Sequence, residues 1–103
     1  MHLREVTLET VQPFIGTRFT LTLPSGDTTE MKLEETFKYD LHQRRRKTAE
    51  KRAPFSMFFL GDPKLLLPQG MYTLRSEQVT LDGIFLVPVG QDEEATEYEA
   101  VFT

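Results

Sequence analysis

Residues Gly70 to Val89, GMYTLRSEQVTLDGIFLVPV, decide the fold. The stretch reads as strand, turn, strand, with aromatic and aliphatic residues on each side of polar punctuation. Its second arm, Ile84-Phe85-Leu86-Val87-Pro88-Val89, is the most continuously apolar run in the chain. A run this short, rich in β-branched and aromatic residues and closed by Gly90, predicts a core strand buried on both faces rather than a helix. The turn between the arms falls at Ser76-Glu77-Gln78. Asp82-Gly83 allows a second arrangement, in which Val79-Thr80-Leu81 folds back on Ile84-Phe85-Leu86. Pro88 has no N–H to give to a ladder, so its end of the strand is read as an edge or a bulge.

Working outward, Thr17 to Leu23 (TRFTLTL) alternates cleanly, with Phe19, Leu21 and Leu23 on one face. That predicts a half-buried strand. Pro24-Ser25-Gly26-Asp27 is a turn signal. Glu30 to Tyr39 resumes the alternation, with Met31, Leu33, Phe37 and Tyr39 inward, so the two strands form a hairpin. Glu35 interrupts the inward set and marks a bulge or strand end. Before this hairpin, Thr7 to Gly16 predicts a short helix. Thr7 is its cap, Leu8, Val11 and Ile15 share its docking face, and Pro13 limits it to about two turns.

Phe55 to Leu60 (FSMFFL) carries bulk on both faces and is expected to be buried on both, or to have one face covered by the short helix. Gly61-Asp62-Pro63 turns the chain, and Leu65 to Gly70 reads as a packed connection. Thr96 to Phe102 closes the chain with Tyr98, Ala100 and Phe102 on one face. Six strands joined by short turns predict a mainly β domain spanning residues 1–103. Its expected form is a small antiparallel six-stranded barrel or roll in meander order, with a short N-terminal helix.

The 103 residues are 39% apolar and 27% charged, as in an ordinary globular domain. No apolar run approaches the roughly 18 residues of a transmembrane helix. The segment MHLREVTLET has no apolar h-region, so no signal peptide is expected. The expected location is the cytoplasm or an assembled particle, with no membrane partner. Cysteine is absent, which removes disulfides and thiolate chemistry together.

The net charge of -4 is unevenly placed. Half of the cations fall in one stretch, Arg44, Arg45, Arg46, Lys47, Lys51 and Arg52, and none follows Arg75. The segment 42–53 has no apolar stripe and reads as an exposed basic loop. Phosphate contact is its functional reading. The absence of interleaved aromatics and the acidity of the whole chain argue against nucleic acid. A solvated loop, pairing with acids in cis or on a neighbouring subunit, is the plainer reading.

His2 and His42 lie far apart with no patterned carboxylate beside them, so no metal is expected. Glu34-Glu35 are strand neighbours and should point to opposite faces. Glu93-Glu94 fall in a turn, where water keeps carboxylates ordinary. No nucleophile elbow, dinucleotide fingerprint or phosphate loop occurs. The residues therefore predict no enzyme, no catalytic residue and no cofactor.

Pro54-Phe55-Ser56, Phe59, Gly61, Leu67-Pro68-Gln69-Gly70, Tyr72, Phe85 to Gly90 and Tyr98 to Phe102, with Leu8, Phe14, Gly16 and Phe19, resemble a family of small bacterial proteins of unknown function. The stretch from His42 to Arg52 departs from that pattern in being more basic. The resemblance implies no activity. It implies companionship with phage-tail-like or tail-collar-type surface proteins. The functional expectation is a non-catalytic binding or assembly module with a protein partner. Self-association is expected through edge strands, beside Pro88 or at the C-terminal strand. The alternative is a small barrel that binds a polyanion through Arg44 to Arg52.

Overall fold

A computed structural model describes residues 6–38 and 54–102. Six antiparallel strands close into a barrel: β1 (Arg18–Thr22), β2 (Thr28–Lys38), β3 (Phe55–Gly61), β4 (Gly70–Arg75), β5 (Thr80–Gln91) and β6 (Thr96–Phe102). Around the barrel the order is β1-β2-β3-β6-β5-β4. This is two three-stranded meanders rather than one continuous meander. β3 closes on β6, β4 closes on β1, and the segment Asp62–Gln69 carries the chain from one meander to the other. In the barrel order β5 lies between β4 and β6, and β6 between β3 and β5. The ladders are nonetheless partial: β5 pairs with β4 only up to Leu86 and with β6 only from Val87, and β6 pairs with β5 only up to Glu99, so residues 87–91 beside Pro88 and residues 100–102 are each paired on one side.

A short helix, α1 (Leu8–Val11), precedes the barrel and runs on as a 3₁₀ turn, Gln12–Phe14. Thr7 caps it: its hydroxyl accepts the Thr10 N–H at 3.3 Å, and the Thr10 hydroxyl accepts the Thr7 N–H at 2.8 Å. This reciprocal pair satisfies donors that a helix start would otherwise leave open. Pro13 lies at the start of the 3₁₀ turn, where its missing N–H does no harm. Val11 is buried, but Ile15 is 44% exposed, against the expectation that it docks. The change of helix type explains the difference. In 3₁₀ geometry residue i+3 eclipses residue i, so Phe14 rather than Ile15 follows Val11 onto the core.

Gly16 then takes a left-handed φ of 94°, and its N–H donates to the Leu33 carbonyl at 2.7 Å. That bond fixes the helix over the first hairpin. The β1–β2 turn is built on Gly26, also left-handed at 98°. Here Leu23 N–H donates to Asp27 O at 2.7 Å, and Gly26 N–H to Leu23 O at 2.9 Å.

Three bulges set which side chains face inward. In β2 the register shifts between Leu33 and Glu35. One extra residue reverses the alternation beyond it. Phe37, expected inward, therefore stands outward and 52% exposed, while Thr36 is half-buried opposite Met57. Tyr39 lies outside the described residues. In β5 the shift falls opposite Tyr72 to Leu74, where Gly83 adopts φ 69°. Asp82-Gly83 is thus a bulge in a continuous strand, and Val79–Leu81 does not fold back on Ile84–Leu86. The β4–β5 turn is at Ser76–Val79, whose hydroxyl and backbone bonds close it. The third shift lies between Pro88 and Gly90, the bulge reading of that proline.

The interior is filled by Phe19, Leu21, Met31, Leu33, Phe55, Met57, Phe59, Leu74, Leu81, Ile84, Leu86, Tyr98, Ala100 and Phe102. Phe19 meets Phe59 edge-on with centroids 6.0 Å apart, and Phe55 stacks on Phe102 at 4.9 Å. Each fully buried aromatic or aliphatic side chain contributes about 1.5–3 kcal/mol relative to exposure. β5 is not buried on both faces as its composition suggests. Ile84 and Leu86 point in, but Phe85 is 46% exposed. An antiparallel barrel has one interior, and among the described residues no further layer covers Phe85 from outside. β3 comes nearer the expectation: Phe55, Met57 and Phe59 are buried inside, Ser56 is buried on the outer side, and Phe58 and Leu60 are half-buried.

The connection Asp62–Gln69 is packed as expected. Leu67 is buried, and its N–H donates to the Tyr98 hydroxyl at 2.9 Å. The Thr96 hydroxyl donates to the carbonyls of Asp62 and Leu65, and the Tyr72 hydroxyl to that of Pro68.

Candidate functional site

One concavity on the barrel wall follows from how β1 ends. β1 and β4 pair only at Thr20–Arg75 and Leu21–Leu74. Continuing that register would set Thr22 against Thr73 and Leu23 against Tyr72. The pairing stops because the β1–β2 turn commits the Leu23 N–H to Asp27, and Pro24 has no N–H at all. The two strands part there, leaving an open cleft of about 520 Å³. One bank is Thr20, Thr22, Leu23 and Pro24; the other is Met71, Tyr72, Thr73 and Arg75, with Asp82 and Gly83 of the β5 bulge beyond.

The bulge places chemistry at this cleft. Asp82 and Gly83 together face Thr73, and the Thr73 hydroxyl donates to Asp82 Oδ1 at 2.7 Å. Arg75 is exposed at the closed end of the cleft. Among the described residues the ion pairs are Arg18–Glu30 at 3.7 Å and Lys32–Glu34 at 3.6 Å, and Arg75 joins neither. Met71 lines the cleft and lies directly opposite Phe85 on the outer wall. It is 62% exposed, so the cleft opens beside a pair of large outward apolar side chains.

A second apolar feature lies elsewhere on the wall. Phe37 and Val101 flank Ser56 in register from β2 and β6, and both are about half exposed. The Ser56 hydroxyl donates to Glu99 Oε2 at 2.6 Å between them.

The residues singled out from the sequence are not brought to either place. Arg44, Arg45, Arg46, Lys47, Lys51 and Arg52 lie outside the described residues, as do His2 and His42. Glu34 and Glu35 do not point to opposite faces; the bulge leaves both exposed. Glu93 and Glu94 sit exposed in the β5–β6 turn. In that turn Asp92 accepts the N–H groups of Glu94 and Ala95, and these bonds hold its carboxyl below the usual range. Among the described residues, no three His, Cys, Asp or Glu side chains converge on a metal-sized point. No helix of the described chain is long and apolar enough to cross a membrane.

Reading the sequence did not find the cleft. Its one visible trace was Asp82-Gly83, a pair suited to left-handed backbone, which the alternation alone could have assigned either to a turn or to a bulge.

The class of molecule is thus a closed six-stranded antiparallel barrel with a short N-terminal helix and a cleft where β1 leaves β4. The chain belongs to the family described as a domain of unknown function, DUF6916, whose model matches residues 6–102. No curated protein and no solved structure matches it.

Proposed function

We propose that the barrel is a non-catalytic binding or assembly module that docks a protein partner on its outer wall. The observation that supports this reading is the Met71–Phe85 pair. Two large apolar side chains face each other across β4 and β5, 62% and 46% exposed, beside an open cleft. Single exposed apolar residues are ordinary, whereas contiguous ones bordered by polar groups mark interaction surfaces. Thr73, Asp82 and Arg75 supply that border. Membership of a phage-tail-like particle is a finer proposal, supported only by the sequence resemblance to a bacterial family.

The test is quantitative co-purification of the tagged chain with its native partner, in wild type and in Met71→Glu and Phe85→Glu variants. Glu9→Gln, on the exposed side of α1, serves as control. The outward variants should lose the partner while keeping the wild-type thermal transition, and the control should retain it. Retention of the partner by both outward variants overturns the reading.

The alternative is polyanion binding through Arg44, Arg45, Arg46, Lys47, Lys51 and Arg52, supported by the clustering of cations in the sequence. It predicts binding that collapses as salt is added and as those residues are neutralised. Apolar docking at Met71 and Phe85 is insensitive to both.

A further inference from the structure

We infer that the edge of β4 at Gly70–Thr73 accepts an extended peptide by strand addition. The guest carries an apolar residue for the space between Leu23 and Tyr72, and a carboxylate towards Arg75. This rests on the binding-module reading and names the form of partner that the wall takes.

The argument starts from backbone groups. A strand flanked on one side only presents a row of N–H and C=O groups that can template another strand. β4 has β5 along its whole length but β1 only at Leu74 and Arg75. From Gly70 to Thr73 its second side opens on the cleft, because β1 is drawn into the β1–β2 turn at Leu23. Closure leaves several short one-sided stretches among the described strands, and this one is distinguished by lining the cleft where β1 and β4 part.

The side chains around it define the guest. Leu23 and Tyr72 are half-buried and packed against the core, on the inward side of the two banks. A guest residue between them would add to the core surface and is best apolar. Alternate guest residues point outward, between Thr22 on one bank and Thr73 and Met71 on the other, which suits small or polar side chains. At the closed end stands Arg75, exposed and in no ion pair among the described residues. Its guanidinium can receive a carboxylate in a two-bonded fork, from an acidic side chain or from the end of the guest chain. On the same bank Asp82 already accepts from Thr73, which leaves the Arg75 guanidinium to the guest. Arg75 therefore favours the orientation of an alternating peptide that sets its acidic end there.

The probe is a pooled synthetic hexapeptide library in which apolar residues alternate with threonine and one end carries aspartate. It is mixed with the isotope-labelled full chain. Members that bind should slow hydrogen exchange of amides within Gly70–Thr73 by roughly tenfold or more, as expected for newly bonded N–H groups. The same peptides methylated on alternate backbone nitrogens should not bind. Arg75→Gln should remove the preference for the aspartate-ended members over members ending in asparagine.

If no member binds, or if bound members leave the β4 amides exchanging as before, strand addition is overturned. Equal binding of the methylated peptides overturns it as well, and leaves side-chain docking on the Met71–Phe85 wall standing. A concentration-dependent dimer in sedimentation, with Gly70–Thr73 protected before any peptide is added, assigns the edge to a second copy and overturns the peptide proposal.

Discussion

The hydroxyl of Tyr98 sits between two main-chain groups of the β3–β4 connection. It accepts the N–H of Leu67 at 2.9 Å and donates to the carbonyl of Leu65 at 3.3 Å. Tyr98 is a barrel residue with its ring in the core, so one side chain joins the interior to the segment that links the meanders. Removing the oxygen strands a buried N–H. Tyr98→Phe should therefore cost about 1–3 kcal/mol in denaturant unfolding, more than the net worth of one hydrogen bond. An unchanged midpoint would mean that water reaches Leu67.

The same residue sets an alkaline limit. Burial raises the Tyr98 pKa above the usual tyrosine range, partly offset by the Leu67 N–H. A raised pKa means that the unfolded chain ionises first. The stability tied to Tyr98 is complete below about pH 10 and is lost as pH climbs from there through the folded value. Unfolding curves from neutral pH to beyond pH 10 should fall more steeply for wild type than for Tyr98→Phe, which has no phenol to ionise.

Phe19 and Phe85 share a residue type and differ in direction. Phe19 is fully buried and meets Phe59 edge-on; Phe85 stands half in water opposite Met71. Phe19→Ala should destabilise by about 3–5 kcal/mol through lost transfer energy and a cavity. Phe85→Ala should change stability by less than about 1 kcal/mol. Calorimetric midpoints of the two variants measure the contrast directly.

Gly83 holds the β5 bulge at φ 69°. A Cβ there would touch only the Met71 methyl at 3.9 Å, an ordinary contact, so space is not the obstacle. The cost is backbone strain. Gly83→Val should lose about 1–2 kcal/mol and Gly83→Asn less, since asparagine tolerates the left-handed region. Equal loss in both variants would locate the cost in packing instead.

What the sequence made legible was local. Thr7 capped the helix, Gly26 fell in the hairpin turn, Phe19 with Leu21 alternated inward, and Tyr98, Ala100 and Phe102 lined one face. Each of these depends on neighbours within a few residues. The bulge near Glu35 was legible, but its effect on Phe37 was missed, because one extra residue inverts every position after it. Phe85 was misplaced because composition cannot say how many layers cover a sheet. The order β3-β6-β5-β4 depends on long-range pairing, which local pattern does not encode. The cleft was invisible for the same reason: it is the place where a pairing fails to continue. The basic cluster Arg44–Arg52, the sharpest local signal, falls outside the described residues.

The two meanders divide the chain at a single crossing, Asp62–Gln69. Each half is contiguous and brings three whole strands, yet neither encloses an interior until β3 reaches β6 and β1 reaches β4. A nick in the crossing would turn ring closure into an encounter between two molecules, with assembly rate set by fragment concentration. The polypeptide is, in that sense, a tethered heterodimer whose linker also lends Leu67 to the shared core.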